Sequence, residues 1–458
     1  MQRESTKSSH EKRLYLAVMS VFILVSLFAA AGVSADETSN GQPSPQGAVF
    51  TIAEGLAIAT TESRVMNIAD QNINITEKET DVAMSILLPS INAEISQGFL
   101  SNKPTAIFGA MSVPMANRNS LSYGVSLKQT LYDFGANTSR YKASLESLEA
   151  AKVDYERIKN LTALEFIVGC YEVLEYDKLI DVARKEIARL EQHLKVAHEL
   201  FKEGVITKND LLQAEVKLSD VKQRLLSVKN LRMVSASKLN IMLLRPFMAD
   251  VSIAGPPEEE TAAEDVEIGH FLEMAEKQRP EIKIIGHELE ILALQEKMRN
   301  SEFFPSFYAQ AGYSYTENDY QVYEGNWFLM LGAKINLFSG GSTKAELSKL
   351  RFRKEKLAEE RKKLIDDITL EIERYYLNMK SAIEKLMVMK DSVAQAEENL
   401  RINRTRYEHG QGTSTDVIDA ITLLTRTQTN YYSALYEQQR AYAGLLYASG
   451  TDLKEIFK

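Results

Sequence analysis

Two carboxylates three residues apart, Asp416 and Asp419, stand at the predicted start of a helix in the stretch EHGQGTSTDVIDA, residues 408–420. Side chains at this spacing lie on the same side of a helix, so with the glycine and the polar tract before them they could belong to a metal loop, a phosphate cradle or only a turn. Acidic groups near a helix N-terminus are also stabilised by the helix dipole, by roughly 0.3–1 kcal/mol. The local pattern therefore leaves two interpretations open, a functional acidic pair and ordinary helix-dipole complementarity.

The same turn occurs twice in the chain. The segment KEGVITKNDLLQA, residues 202–214, aligns with 408–420 so that Gly204 matches Gly410 and Asp210 matches Asp416. Threonine precedes the returning helix in both copies and is a good N-cap residue. The first copy has Gln213 in place of the second aspartate, so only the second copy carries the full acidic pair.

The similarity extends far beyond the turn. LYDFGAN in the first half corresponds to LFSGGST in the second, and LLPS corresponds to FFPS. The first copy is longer in the loop that follows its LLPS strand. Self-similarity of this length indicates a duplicated supersecondary unit. Each unit is predicted to contain a helix, two strands, a very long helix, a turn and a shorter helix.

The predicted strands alternate between apolar and polar residues. In the second copy one face carries Trp327, Leu329, Leu331, Ala333, Ile335 and Leu337, and the other carries Met330, Gly332, Lys334 and Asn336. Strands of about ten residues cross a bilayer when they are tilted. An ordinary soluble hairpin fits any single strand pair equally well, but repetition and aromatic residues near the strand ends favour a membrane sheet.

The long helices are predicted from about Gly135 to Glu203 and from about Gly341 to His409, because neither segment contains proline. At about 1.5 Å per residue each would be on the order of 100 Å long. Apolar positions in the second copy are spaced by threes, fours and sevens, at 350, 357, 364, 368, 372, 375, 379, 383, 386, 389, 393, 396 and 400. This spacing predicts a coiled-coil seam, to which the helices at 208–244 and 414–448 return.

The remaining segments complete the domain organisation. Residues 1–35 are typical of a cleaved secretory signal, because a basic start precedes an apolar run that ends in small residues. The first repeat follows at 36–244, an acidic Pro-rich surface linker at 245–267, the second repeat at 268–450 and a C-terminal tail at 451–458. After the signal, no apolar run is long enough for a transmembrane helix, so a membrane role falls to the strands.

The bulk composition excludes several classes of protein. A net charge of −9 suggests no basic face for nucleic acid. The single cysteine, Cys170, lies in an apolar helical pattern and is predicted to be buried. P-loop, GxSxG, HExxH and CxxC motifs are absent from the sequence, and His193 and His198 do not share a helix face. We therefore expect no enzyme activity, no metal and no cofactor.

Four strands cannot close a barrel, and an open sheet edge is costly in lipid because its backbone groups stay unpaired. Three copies would supply twelve strands, an even number within the known range of such barrels. The predicted fold class is thus a membrane α+β protein. In it, a trimeric β-barrel with four strands per chain continues into a long α-helical coiled-coil barrel.

In the order and spacing of these motifs, residues 49–450 resemble the TolC family of outer-membrane efflux proteins, or outer membrane factors. The resemblance implies a homotrimer in the outer membrane of a Gram-negative bacterium that extends into the periplasm. Its periplasmic end would open like an iris to conduct substrates passively, for efflux or type I secretion. The implied partners are a periplasmic adaptor (membrane fusion protein), an inner-membrane pump or ABC transporter, and outer-membrane lipid.

The resemblance also assigns residues. It implies that Asp416 and Asp419 form rings at the pore constriction and that Tyr407 helps to hold the closed state. Gly412 stands where a basic tether can occur, so part of that locking network is absent. The implied adaptor-docking tips contain Gly204, Val205, Thr207, Gly410, Gln411, Gly412 and Thr413. A periplasmic coiled-coil adaptor or a structural envelope protein is the alternative, but it does not account for the strand pairs.

Overall fold

The structure is a computed structural model that describes residues 49–254 and 267–457. The predicted signal segment and residues 255–266 of the predicted linker lie outside the described residues. The first half contains β1 (Val49–Thr51), α1 (Ile52–Ala59), α2 (Arg64–Ser85), β2 (Ser90–Phe99), β3 (Thr105–Phe108), β4 (Met111–Pro114), β5 (Asn119–Tyr132), α3 (Ala136–Lys202), α4 (Lys208–Met242) and β6 (Ser252–Ala254). The second half contains α5 (Ile268–Gln278), α6 (Pro280–Asn300), a short 3₁₀ turn (Ser301–Phe303), β7 (Ser306–Thr316), β8 (Gly325–Lys334), α7 (Ser342–Glu408), α8 (Ser414–Ala448) and α9 (Leu453–Ile456).

The order of elements follows the prediction, except that two helices rather than one precede each strand pair. In the second half the break falls at Arg279, and Pro280 occupies the first turn of α6. Proline is favoured there because its missing N–H would have no intrahelical partner in any case. The added residues of the first copy, in the connection between β2 and β5, form the β3–β4 hairpin.

The main sheet contains four antiparallel strands in the order β2-β5-β7-β8. Its register places the predicted apolar residues opposite one another: Ile91 faces Leu127, Leu127 faces Ala311, and Ala311 faces Leu329. The apolar sets of all four strands therefore form one continuous face. Trp327, Leu329 and Leu331 on that face are 84%, 74% and 72% exposed.

Strand β8 is shorter than predicted. It ends at Lys334, which pairs with Ser306 at the start of β7, so Ile335 and Leu337 lie outside the strand. The residue before Ser306 is Pro305, which has no N–H to donate and cannot extend the ladder. Alternation of residue types along β8 could not reveal this limit, because it is set by the partner strand.

The long helices α3 and α7 are each 67 residues long, close to their predicted length. All the predicted seam positions of α7 are buried or half-buried. Helix α3 packs against α4, and α7 packs against α8, while α8 also contacts α3. Near the sheet, α2 packs on α3, α3 on α6, and α6 on α7, in the same lateral order as the strands to which they connect.

Two hydrophobic clusters stabilise the helices. The larger one contains Phe166, Ile167 and the buried Cys170, as predicted for this cysteine. The second, here called the tip cluster, lies toward the ends of the long helices. It consists of Leu190, Ala214, Leu218, Val221, Tyr407, Val417, Ile418 and Ile421.

The segments predicted as a surface linker and a tail are partly built into the fold. Residues 252–254 form β6, which pairs in parallel with β1, and Val251 is fully buried. Near the C-terminus Leu453 is also fully buried. The Leu453 N–H donates to Asn160 Oδ1, and Asn160 donates to the Thr451 carbonyl. These two segments are short, and their apolar residues show neither helical nor strand periodicity. Their packing could therefore not be predicted from the sequence.

Candidate functional site

The two tips are built by the same backbone geometry. Gly204 and Gly410 follow the ends of α3 and α7 with φ values of 75° and 70°, a left-handed conformation that favours glycine. In the first tip, the Gly204 N–H donates to the Phe201 carbonyl and the Val205 N–H to the Leu200 carbonyl. The second tip repeats both bonds. This Schellman motif satisfies the last carbonyls of each long helix and reverses the chain.

Threonine caps the returning helix at both tips. The Thr207 N–H donates to Asp210 Oδ2 at 3.0 Å, and the Asp210 N–H donates to Thr207 Oγ1. Thr413 and Asp416 form the same reciprocal pair, at 2.9 Å and 3.2 Å. The predicted N-caps are therefore confirmed, and each capping box satisfies two backbone donors.

The predicted acidic pair is exposed on one end of α8. The backbone N–H of Thr413, which donates to Asp416, holds the pKa of that carboxyl below its ordinary value. Asp419 lies one turn further along, and both side chains are exposed within one chain. Asp416 therefore has a structural role in the cap, whereas Asp419 has no such role and carries a free surface charge.

Tyr407 belongs to the tip cluster and is only 3% exposed. Its ring lies 5.0 Å from the imidazole ring of His193, centroid to centroid, and burial raises the pKa of its phenol. Among the described residues its hydroxyl makes no hydrogen bond of regular geometry, but the Ser414 hydroxyl lies close enough to oppose part of this rise in the pKa. The predicted gate residue is thus a packed contact between α7 and α3.

His193 is the site residue that sequence reasoning missed. Its Nε2 lies 2.8 Å from Ser414 Oγ, in a buried hydrogen bond between α3 and the first turn of α8. The available signal was its spacing, because Glu186, Leu190, His193 and Ala197 are all buried and recur every three or four residues along α3. A histidine in a coiled-coil seam needs a polar partner, which is supplied by the other half of the chain.

Gly412 is tightly packed. It is the position at which the family resemblance predicts that a basic side chain is missing. A Cβ atom at Gly412 would lie 3.3 Å from the Tyr407 nitrogen and 3.4 Å from the Arg406 Cβ. The guanidinium of Arg406 donates instead to the Gln411 carbonyl at 3.2 Å. The turn is therefore closed by local bonds that do not involve a side chain at 412.

The two tips are brought together by a contact between α4 and α8, where Thr415 Oγ1 donates to Gln213 Oε1 at 3.3 Å. Next to this bond, an open groove runs between the two helices. Its lining residues are Asn209, Leu212, Gln213, Val216, Lys217, Asp220, Thr415 and Ile418. Val216 is 68% exposed, and Val205 at the first tip is 58% exposed.

The residues at 49–254 and 267–457 also bear on other kinds of site. Those residues contain no group of three or more His, Cys, Asp or Glu side chains that could hold a metal ion. None of the helices among them combines the length and apolar character needed to span a membrane.

Two long helical hairpins joined to a four-stranded antiparallel sheet define the class of fold, and the comparisons identify the family within that class. Residues 57–243 and 271–451 match the model of the family described as "Outer membrane efflux protein". The chain belongs to this family, which consists of transport proteins rather than enzymes. Membership indicates an outer-membrane location.

Relatives and solved structures agree with this assignment. Nodulation protein T of Rhizobium leguminosarum bv. trifolii is 21% identical over 72% of this chain and 71% of its own length. The alkaline protease secretion protein AprF of Pseudomonas aeruginosa is 21% identical over 71% of this chain and 69% of its own. The crystal structure of CusC superimposes with a TM-score of 0.76 at 16% identity, covering 92% of this chain and 99% of CusC. At that identity, the superposition shows the shared fold.

Proposed function

We propose that this chain forms a homotrimeric channel that carries substrates passively from the periplasm across the outer membrane, within a tripartite efflux or type I secretion system. The observation that carries the proposal is the mainly apolar, largely exposed face that the four strands of the sheet share. A soluble protein rarely exposes so large an apolar surface. In a membrane sheet this face contacts lipid, and the opposite polar face lines a lumen.

Aromatic groups at two levels of the sheet support the membrane position. Near the external loops, Tyr123 stacks on Tyr315 at 4.7 Å, and Tyr313 lies 5.2 Å from Trp327. At the other end of β5, Tyr132 contacts Phe134 at 4.8 Å. Tyr123 and Tyr132 are nine residues apart, about 30 Å along the strand and roughly 23 Å across the membrane at a tilt of about 40°. Aromatic girdles of outer-membrane barrels flank an apolar band of about this height.

Both edges of the sheet are free, since β2 and β8 each pair on one side only within the described residues. A ring in which β8 of one copy meets β2 of the next removes every edge. Because β2 and β8 differ, the contact between copies is head-to-tail. If the rotation that relates one copy to the next is a whole fraction of a turn, the copies form a closed ring. Three copies give the twelve-stranded barrel.

The helices below the sheet carry complementary charges at the same two edges. Helix α2, beside β2, presents exposed Val65, Ile68, Ile75 and Val82 flanked by the acidic residues Asp70, Glu77, Glu79 and Asp81. Helix α7, beside β8, begins with the exposed basic residues Lys344, Lys349, Arg351, Arg353, Lys354, Lys356, Arg361, Lys362 and Lys363. Each helix also carries exposed residues of the opposite sign, Arg64 and Lys78 on α2 and Glu355, Glu359 and Glu360 on α7, but the net charge is negative on α2 and positive on the start of α7. The net charges of the two edges are complementary, which favours the α2–α7 contact between copies.

The tips form the periplasmic entrance in this proposal. Threefold symmetry brings the Asp416 and Asp419 carboxylates of three chains around one axis, where they would attract cations and repel anions. The adaptor docks on the turns at Gly204 to Thr207 and Gly410 to Thr413, beside the groove between α4 and α8. Its binding moves the tips apart, and energy comes from a pump in the inner membrane.

The test is single-channel recording of the purified protein in a planar bilayer, with the reversal potential measured in a salt gradient. A channel with an acidic entrance gives a small conductance that is selective for cations. A folded trimer that never conducts contradicts the proposal and favours an adaptor or a structural envelope protein.

A further inference from the structure

Gly412 has no side chain that could act as a basic tether. The second tip is nevertheless hydrogen-bonded to the first half of the chain. The only buried side-chain hydrogen bond recorded between α3 and the first turn of α8, in the described ranges, joins His193 and Ser414 at 2.8 Å. His193 is 6% exposed and Ser414 is 2% exposed. The contact therefore spans the two duplicated units at the level of the proposed gate.

The hydroxyl of Ser414 is free to make this bond because a neighbour performs the capping. Thr413 is the N-cap of α8, and its side chain accepts from the Asp416 N–H. Ser414 is the first residue within the helix. Removing its hydroxyl would therefore leave the cap intact and affect only its contacts with His193 on α3 and with Tyr407 on α7.

The surroundings of His193 hold it in one place and in the neutral form. The Tyr407 ring of α7 covers the imidazole, with 5.0 Å between ring centroids. Arg189 and Gln192 lie beside it on α3, and Arg404 and Glu408 approach from α7. Glu408 is paired with Arg404 at 3.1 Å, so it is not available to balance an imidazolium.

We propose that His193 is a positioning residue of the gate: its bond to Ser414, covered by Tyr407, holds the second tip against α3 in the closed channel. This inference rests on the proposed function, because it names the contact that resists opening of the same entrance. Outward movement of the α7–α8 hairpin away from α3 would break the bond and uncover Tyr407.

The experiment compares the open probability of single channels formed by the wild type, His193→Ala, Ser414→Ala and the double variant. Loss of one buried hydrogen bond should raise the open probability of each single variant by about five- to tenfold. The double variant should resemble the single ones, because both substitutions remove the same bond. His193→Gln, whose amide can still bond to the Ser414 hydroxyl, should restore most of the closure.

His198→Ala is the matched control, since His198 lies on the same helix but is exposed and near Glu215 at 3.9 Å. It should gate like the wild type. If His193→Ala fails to assemble, Ser414→Ala decides the outcome alone, because it loses a single oxygen atom. A conducting wild type whose gating is unchanged in Ser414→Ala, and in any His193→Ala trimer, overturns the inference. Absence of conductance in every protein contradicts the proposed channel itself.

Discussion

At the scale of single residues, burial determines the charge of His193. Burial, together with a smaller effect of the nearby Arg404, lowers the pKa of its imidazole from 6.5 to about 4. An imidazole released to solvent would bind a proton at a higher pH than the packed one. The packed contact is therefore fully stable above about pH 6.5 and loses stability as the pH falls toward about 4, below which the effect saturates.

The loss of stability of this contact at low pH predicts how the gate should respond to pH. The open probability of wild-type channels should rise as the pH is lowered from 6.5 to 4, because protonation favours the released state. His193→Gln cannot titrate and should show a flat response in the same window. The carboxyl of Asp416, whose pKa is lowered, stays charged there, so selectivity should persist. A wild-type profile that matches the glutamine variant would contradict the prediction.

Substitutions of the two aspartates of the second tip should have different effects on selectivity and stability. Asp419→Asn removes a surface charge and should reduce cation selectivity without a measurable loss of stability. Asp416→Ala removes the same charge and also the capping box, so it should in addition lower the local stability of the helix. Reversal potentials and hydrogen exchange at the tip measure the two effects.

Asp210→Ala is the matched control for the acidic pair, since Asp210 forms the same capping box at the first tip. It should cost a similar amount of stability while selectivity stays closer to that of the wild type. Equal loss of selectivity from Asp210→Ala and Asp419→Asn would mean that the charges act through the field of the whole tip. The ring at 416 and 419 would then be the wrong assignment.

At the scale of elements, the sequence predicts what local rules determine. The two long helices follow from the absence of proline and from the spacing of apolar residues, and both caps follow from threonine before the returning helices. The end of β8 did not follow, because Pro305 on the partner strand determines it. The buried position of His193 could not be predicted either, since its hydrogen-bond partner, Ser414, lies on a distant part of the chain.

The glycines of the two turns provide a prediction at this scale. Gly204→Ala or Gly410→Ala should destabilise its tip by about 1–2 kcal/mol, because an L-residue must adopt a left-handed conformation. No atom lies within 4 Å of the added Cβ at either position, so the cost comes from the backbone alone. Amide hydrogen exchange at 200–207 and 406–413 should quicken, with the middle of α3 and α7 unaffected.

Gly286→Ala is a suitable control for this cost. Gly286 lies within α6 with ordinary helical backbone and no neighbouring atom within 4 Å of an added Cβ. Alanine there should stabilise the helix by about 0.5–1 kcal/mol. A tip variant with unchanged exchange would show that the turn can reverse without the left-handed residue.

At the scale of the whole molecule, a single chain leaves several surfaces without a partner among its described residues. Its sheet has two free edges, its apolar face is exposed, and acidic and basic helices stand at opposite sides. Each of these features is satisfied by the same arrangement, a closed ring of copies within a membrane. The tip contacts differ, because His193, Tyr407 and Ser414 contact one another within one chain. In the proposed channel they could therefore resist opening in each copy separately.

The orientation of the sheet in this ring can be tested with two adjacent residues of β8. Leu329 lies on the apolar face opposite Ala311, and Met330 lies on the polar face opposite Gln310. Leu329→Lys should destabilise the trimer by about 2–4 kcal/mol, because it places a charge in the lipid near the middle of the strand. Met330→Lys adds the same charge to a watery lumen and should be tolerated. The temperature at which the trimer dissociates in detergent measures both variants, and a larger loss from Met330→Lys would mean that the faces are reversed.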